Sequence, residues 1–200
     1  MKNFKLNEKD ILSNQDWTFP TTTYYGPGRF NEIAKFCEEF DIKNPLIVTD
    51  SGSKDLPFIK KLIALLSKNN IKSDLFYNIS PNPRDDEISK GCDQFKNGSH
   101  DSIIAIGGGS AMDGGKSICL TVNSETPLWD FEFEQPVPKI TKENAFPKII
   151  TVPTTAGTGA ETEITAMVTH LEKGMKFCIW HPDVRPVSYT HLTLPTIITV

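Results

Sequence analysis

The chain has no Cys-x-x-Cys pair, no cluster of lysine and arginine and no long apolar run. Each absence removes a class of protein. Cys37, Cys92, Cys119 and Cys178 are scattered over 200 residues, a spacing that suits neither a disulfide framework nor a zinc ribbon and reads as reduced thiols. A net charge of −4 without a basic patch argues against a nucleic-acid footprint. No segment approaches the roughly 18 apolar residues of a membrane span. The opening stretch, MKNFKLNEKD, lacks the apolar core of a signal peptide. Internal repeats and low-complexity tracts are missing too. A soluble, cytoplasmic globule is the expectation, with 38% hydrophobic and 23% charged residues supplying an ordinary core.

What is present is an alternation of two periodicities. PLIVTD (45–50), SDLFYN (73–78), SIIAI (102–106) and PKIITVPTT (147–155) are short, β-branched or aromatic runs. Between them, LPFIKKLIALLSKNN (56–70) sets Ile59, Leu62, Ile63 and Leu66 on one helical face, with Pro57 acceptable in a first turn. PRDDEISKGCDQFKN (83–97) opens with acids suited to a helix N-terminus and repeats Ile88, Cys92 and Phe95. Residues 110–121 form a further helix. Strands alternating with helices of this length imply a parallel sheet covered on both faces. Upstream, WTFPTTTYYGPGRF (17–30) reads as a strand and turn leading to a helix with Phe30, Ile33, Ala34 and Cys37 on one face. TEITAMVTHLEKGMKFCIWH (162–181) reads as a β-hairpin turning at Glu172–Gly174. Residues 122–146, with three prolines, form an irregular excursion.

The sharpest feature is IIAIGGGSAMDGGKSICL (103–120). A Gly-x-Gly-x-x-Gly fingerprint counted from Gly107 would need its third glycine at Met112. A P-loop matches at Gly115, Lys116 and Ser117 but has Ser110 where its first glycine belongs, and Lys116 falls inside the helix rather than at its mouth. An anion is still favoured here. Three glycines allow close backbone approach, Ser110 can cap the helix, and the helix N-terminus lies at the carboxyl end of a parallel strand. The bland alternative is a tight strand-to-helix turn. TVPTTAGTGAETE (151–163) repeats the design: Thr154, Thr155 and Thr158 offer hydroxyls, and Ala156, Gly157 and Gly159 keep the surface open. By itself it could be a threonine-capped turn.

Together, GGGSAMDGGK and PTTAGTGAE closely resemble the iron-containing (group III) alcohol dehydrogenase family, and YYGPGR, IVTDSG, SPNPR and KFCIWHPDVRPV extend the likeness over most of residues 17–186. The family's glycine motif is Gly-Gly-Gly-Ser-x-x-Asp-x-Ala-Lys, from which this chain departs at Gly115, a conservative change. The resemblance implies a Rossmann-like α/β domain, a parallel sheet flanked by helices with an added β-hairpin. It implies that Gly107, Gly108, Gly109 and Ser110 cradle the pyrophosphate of NAD. Thr154, Thr155 and Thr158 would line the same cofactor, Asn82 would lie near its adenosine half, and Lys176 would reach the nicotinamide-side ribose. Asp113 would order the loop from the helix's first turn, or simply be a favourable helix-start acid. Lys176 could equally be a solvated lysine beside a turn. Asp50 ends the first βα strand, where a carboxylate can accept two ribose hydroxyls and repels a 2′-phosphate, favouring NAD over NADP; the alternative is a cap on the following turn.

Family members continue into an all-helical domain that holds Fe(II) through one aspartate and three histidines. No matching motif follows DVRPV, so no metal ligand and no catalytic residue is assigned. His100, His170 and His181 read as surface or packing residues. VSYTHLTLPT (187–196) looks like a translated transposon-type sequencing adapter, so residues 187–200 are expected to be a non-native tail after a domain spanning 1–186, and His191 is set aside. The expectation is a fragment, itself inactive, of an NAD- and metal-dependent alcohol dehydrogenase acting on a small alcohol or aldehyde. Homo-oligomerisation stays open. Alternatives are a glycerol dehydrogenase or dehydroquinate synthase-like relative, which PTTAGTGAE argues against, and a non-catalytic nucleotide-binding module.

Overall fold

A computed structural model describes residues 15–18 and 21–190. Strand β1 (Gln15–Thr18) pairs antiparallel with β2 (Thr22–Tyr25). A 3-10 turn at Arg29–Glu32 leads into α1 (Ile33–Glu39). The βα alternation then runs β3 (Pro45–Asp50), α2 (Pro57–Lys68), β4 (Asp74–Ile79), α3 (Asp85–Asn97), β5 (Ser102–Gly107), α4 (Gly109–Val122) and β6 (Lys148–Pro153). The hairpin is β7 (Thr165–His170) with β8 (Met175–Trp180).

With a last strand, β9 (Ser188–Thr190), the main sheet has the order β1-β2-β9-β6-β5-β3-β4, with every pair but the first parallel. Continuous apolar runs follow from burial of both faces. Leu46, Val48, Ile103 and Ala105 face α3, α4 and the hairpin. Their neighbours Ile47, Ile104 and Ile106 face the opposite way, toward Ile33 and Phe36 of α1 and Ile59, Leu62 and Leu66 of α2. The expected Rossmann-like α/β fold with an added hairpin is therefore the observed one.

Two stretches differ in detail from their sequence reading. Within 122–146, Leu128–Phe131 forms a 3-10 turn, and Phe131 is buried against the α4 side of the sheet. Ser188–Thr190, beyond the boundary expected at residue 186, forms β9 between β2 and β6. Val187 N donates to Ile149 O at 2.9 Å, and Thr190 Oγ1 donates to Tyr24 O at 2.9 Å. The remainder of the expected tail, 191–200 with His191, and the segment before Gln15 lie outside the described residues.

Candidate functional site

Strands β5 and β6 run side by side to the pair Gly107 and Pro153. Where they end, the glycine loop and the hydroxyl loop meet: Thr154 N donates to Gly107 O at 2.8 Å. Gly107 has φ +145, a conformation L side chains rarely adopt, and a Cβ there would stand 2.7 Å from Ala111 Cβ. That backbone turn needs glycine. Gly108 and Gly109 face the second loop: a Cβ on Gly108 would lie 3.6 Å from Thr155 Oγ1, and one on Gly109 3.3 Å from Thr158 Cγ2.

Helix α4 starts at Gly109 with Gly108 as its N-cap and no side-chain cap. The expected cap from Ser110 is thus corrected: Ser110 already stands inside the helix. First-turn amides that a hydroxyl would have satisfied remain at the helix mouth, where the dipole favours an anion. Gly109 and Ser110 line a cleft of about 280 Å³. Thr158 and Glu163 of the second loop form another wall, and Met167 and Lys176 of the hairpin a third. Pro81 and Pro83, which flank Asn82, close the side nearest α3. That lip is held by Glu87, whose Oε2 accepts from Ser80 N, Ser80 Oγ and Arg84 N at 3.0–3.1 Å. Hollows of about 460 and 620 Å³ open elsewhere, among Lys35, Glu38 and Asn69 and among Ser67, Lys72 and Asp74. They sit away from the carboxyl ends of β5 and β6, the end at which open α/β sheets bind ligands.

Asp113 also lines the cleft, but one turn deeper than expected, since α4 has no acid in its first turn. Its carboxylate accepts a hydrogen bond from the Met167 backbone and pairs with Lys116 Nζ at 3.8 Å. It therefore ties α4 to the hairpin rather than ordering the glycine loop. Burial pushes the Asp113 carboxyl up while the Lys116 charge pulls it back. Burial likewise pushes the Lys116 ammonium down against the pull of Asp113.

Lys116 went unassigned in the sequence reading. Its side chain is fully buried. Nζ donates to Ala160 O at 2.9 Å, Glu163 O at 3.4 Å and Thr165 O. The available signal was the Asp113-x-x-Lys116 spacing, which puts opposite charges on one face of an otherwise small and apolar helix.

Asp50 ends β3 beside this loop: a Cβ on Gly107 would come within 3.1 Å of its Oδ2. It also caps the following turn. Oδ1 accepts from Gly52 N and Ser53 N at 3.0 Å each, and Oδ2 from Ser53 Oγ at 2.7 Å. Of the roughly four acceptor positions of a carboxylate, three are taken. One acceptor position remains open, whereas the expected pair of ribose hydroxyls would need two.

The departure at Gly115 is less neutral than its chemistry suggests. A Cβ there would fall 2.7 Å from Ala105 Cβ, so this helix lies closer to β5 than an alanine allows.

The described residues hold no group of three or more His, Cys, Asp or Glu that could bind a metal ion. His100 Nδ1 donates to Asn44 O at 3.0 Å. The His170 ring stacks on Trp129 with centroids 4.5 Å apart. His181 Nε2 donates to Pro138 O at 3.0 Å. These are three separate packing positions. No helix among the described residues is long and apolar enough to cross a membrane.

Residues 20–189 match the model of a family described as iron-containing alcohol dehydrogenase. The chain is 30% identical over 166 residues to the 1,3-propanediol dehydrogenase of Klebsiella pneumoniae, covering 82% of this chain and 42% of that one. It is 31% identical to the NADH-dependent butanol dehydrogenase A of Clostridium acetobutylicum, over 86% of this chain and 43% of the relative. Among solved structures, a 1,3-propanediol oxidoreductase superposes with TM-score 0.78 at 26% identity, over 90% of this chain and 45% of that one. A sulfoacetaldehyde reductase from Bifidobacterium kashiwanohense in complex with NAD+ superposes with TM-score 0.77 at 26% identity, over 86% and 44%. The chain spans less than half the length of each of these relatives.

Proposed function

The chain belongs to the iron-containing alcohol dehydrogenase family, and on that premise we propose that it is the nucleotide-binding half of an NAD-linked dehydrogenase interconverting a small alcohol with its aldehyde or ketone. One observation carries this reading: two small-residue loops, locked together by the Thr154–Gly107 hydrogen bond, flank an uncapped helix mouth at the carboxyl ends of adjacent parallel strands.

The residues fit a dinucleotide. Gly107 to Ser110 receive the pyrophosphate on backbone amides, and Thr154, Thr155 and Thr158 border it with hydroxyls. Asp50 takes one hydroxyl of the adenosine-side ribose, and Asn82 lies near that half. Lys176, exposed on the hairpin wall, reaches the ribose on the nicotinamide side. Asp113 holds the hairpin that presents Lys176. The nicotinamide, when bound, supplies hydride transfer; these residues bind and orient it. They do not fit the family's iron, for which the described residues offer no donor cluster. The four free cysteines favour a reducing, cytoplasmic setting.

Calorimetric titration of the chain with NAD and NADP tests the reading. NAD binds more tightly, by about tenfold or more, because the Asp50 carboxylate opposes a 2′-phosphate. Asp50→Gly narrows the gap. Equal or tighter NADP binding overturns the role of Asp50, and binding of neither overturns the site.

A further inference from the structure

Among the described residues, the charged side chain with the least exposure is Lys116. Lys116 is the eighth residue of α4, and its side chain is fully buried. Its ammonium gathers the carbonyls of Ala160 and Glu163, which end the hydroxyl loop, and of Thr165, which begins β7. A lysine has three donors, and here three backbone carbonyls receive them. A buried polar network of this kind specifies geometry when every member is satisfied.

Resting on the dinucleotide reading of the cleft, we propose that Lys116 is a positioning residue: by drawing the carbonyls of residues 160, 163 and 165 inward, it fixes the hydroxyl loop against the glycine loop and the hairpin against α4. Four further observations agree with this role. Thr158 stands against Gly109, so the loop end that Lys116 holds is the end that meets the helix mouth. Thr151 Oγ1 donates to Glu161 O at 2.8 Å, so a further carbonyl of the same stretch is tethered to β6. Asp113, partner of the ammonium at 3.8 Å, takes the Met167 backbone hydrogen bond on the adjoining strand. Finally, Lys176, across the hairpin from Thr169, belongs to the element whose start Lys116 anchors. Glycine-rich, hydroxyl-rich loops with exposed tips, as at Thr155–Thr158, lose much conformational freedom on ligand binding. An internal anchor lowers that cost.

The test uses two variants of the chain and two readouts. Lys116→Met keeps the apolar stem and removes all three donors; Lys116→Gln keeps amide donors without the charge. Hydrogen–deuterium exchange without ligand reads the anchor alone: amides of 156–166 exchange faster in both variants, while those of β3 and β5 stay protected. Calorimetric titration with NAD, well below each variant's unfolding temperature, reads the consequence. The affinity order is wild type, then Gln, then Met, with a loss of about tenfold or more for Met. A merely structural lysine would lower the unfolding temperature and leave the folded protein's NAD affinity unchanged, which overturns the proposal. Unaltered exchange in a folded variant overturns it as well. If Met fails to fold, Gln carries the same criteria. Absence of NAD binding by the wild-type chain counts against the cleft's assignment, whereas exchange still reports the anchor.

Discussion

Gly107 and Gly108 are neighbours with opposite constraints. Gly107 is fixed by the fold, through its positive φ and the 2.7 Å approach its Cβ would make to Ala111. Gly108 has φ −80 and ψ −172, a backbone open to any residue, and a Cβ there would meet Thr155 only at ordinary contact distance. What a side chain at 108 fills is the gap between the two loops. Gly108→Val therefore separates function from folding. Its expected cost in stability is about 1 kcal/mol, from a poorer N-cap, with circular dichroism unchanged. Dinucleotide binding is expected to vanish because the β-branched side chain stands where phosphate oxygens must approach. Unchanged NAD affinity in the folded variant would show that the gap is a packing detail. Asp50 is the same lesson in charge: its position at a strand end and the alternative of a cap on the following turn were both legible from PLIVTD and the residues after it, but that the cap takes three of its acceptor positions was not, because that count arises from the local path of residues 51–53.

At the scale of elements, α1, α2 and α3 all end in the same way. A left-handed residue, Asp41 (φ 51), Asn70 (φ 59) or Ser99 (φ 50), follows each. The next residue's amide then reaches back five positions: Ile42 N to Cys37 O at 2.8 Å, Ile71 N to Leu66 O and His100 N to Phe95 O at 3.0 Å. This is the Schellman closure, which prefers glycine at the left-handed position. Asparagine tolerates that conformation better than serine does. Ser99 is exposed, so Ser99→Gly is expected to add about 1 kcal/mol and raise the thermal midpoint by about 2–4 °C; Asn70→Gly should add less. Equal melting of Ser99→Gly and wild type would disprove the strain. Helix and strand bodies were readable because their apolar spacing reflects faces buried on both sides of one sheet. The cleft's composition was readable from two loops. Its construction was not: Ser110 reads as a cap until Gly108 is seen to be the N-cap, and Lys116 reads as a failed P-loop lysine until residues 44 to 49 positions later fold over it. Ser188–Thr190 escaped for a related reason, since a three-residue strand owes its existence to β2 and β6 rather than to its own pattern.

For the molecule as a whole, each face of the sheet buries one thiol. Cys37 of α1 lies in the cluster with Ile47 and Ile104, and Cys119 of α4 in the cluster with Val48 and Ile103. Burial, with the Asp101 carboxylate adding to it, pushes the Cys37 thiol up to about 12. Burial pushes Cys119 up as well, with Cys92 contributing, and its Sγ donates to Pro147 O at 3.0 Å. In the unfolded chain both thiols titrate near the ordinary value of 9.0. Between pH 9 and 12, then, the unfolded state has released protons that the folded state retains. The folded pKa is the raised one, so the contribution is fully present below pH 9 and is lost as the pH climbs. The slope is about 1.4 kcal/mol per pH unit for each thiol. Because the two sit on opposite faces of one cooperative sheet, the loss falls on the entire domain. Denaturant unfolding of the chain at pH 8, 9, 10 and 10.5 is expected to show a steepening decline above pH 9. The double variant Cys37→Ala, Cys119→Ala starts from lower stability, having lost packing on both faces, yet it should decline less steeply, since titration of lysine, tyrosine and the other two thiols, Cys92 and Cys178, both also raised by burial, is common to both proteins. At pH 8 neither buried thiol should react with iodoacetamide until denaturant is added. Parallel alkaline slopes in the two proteins would show that the thiols ionise in the folded state as freely as in the unfolded one.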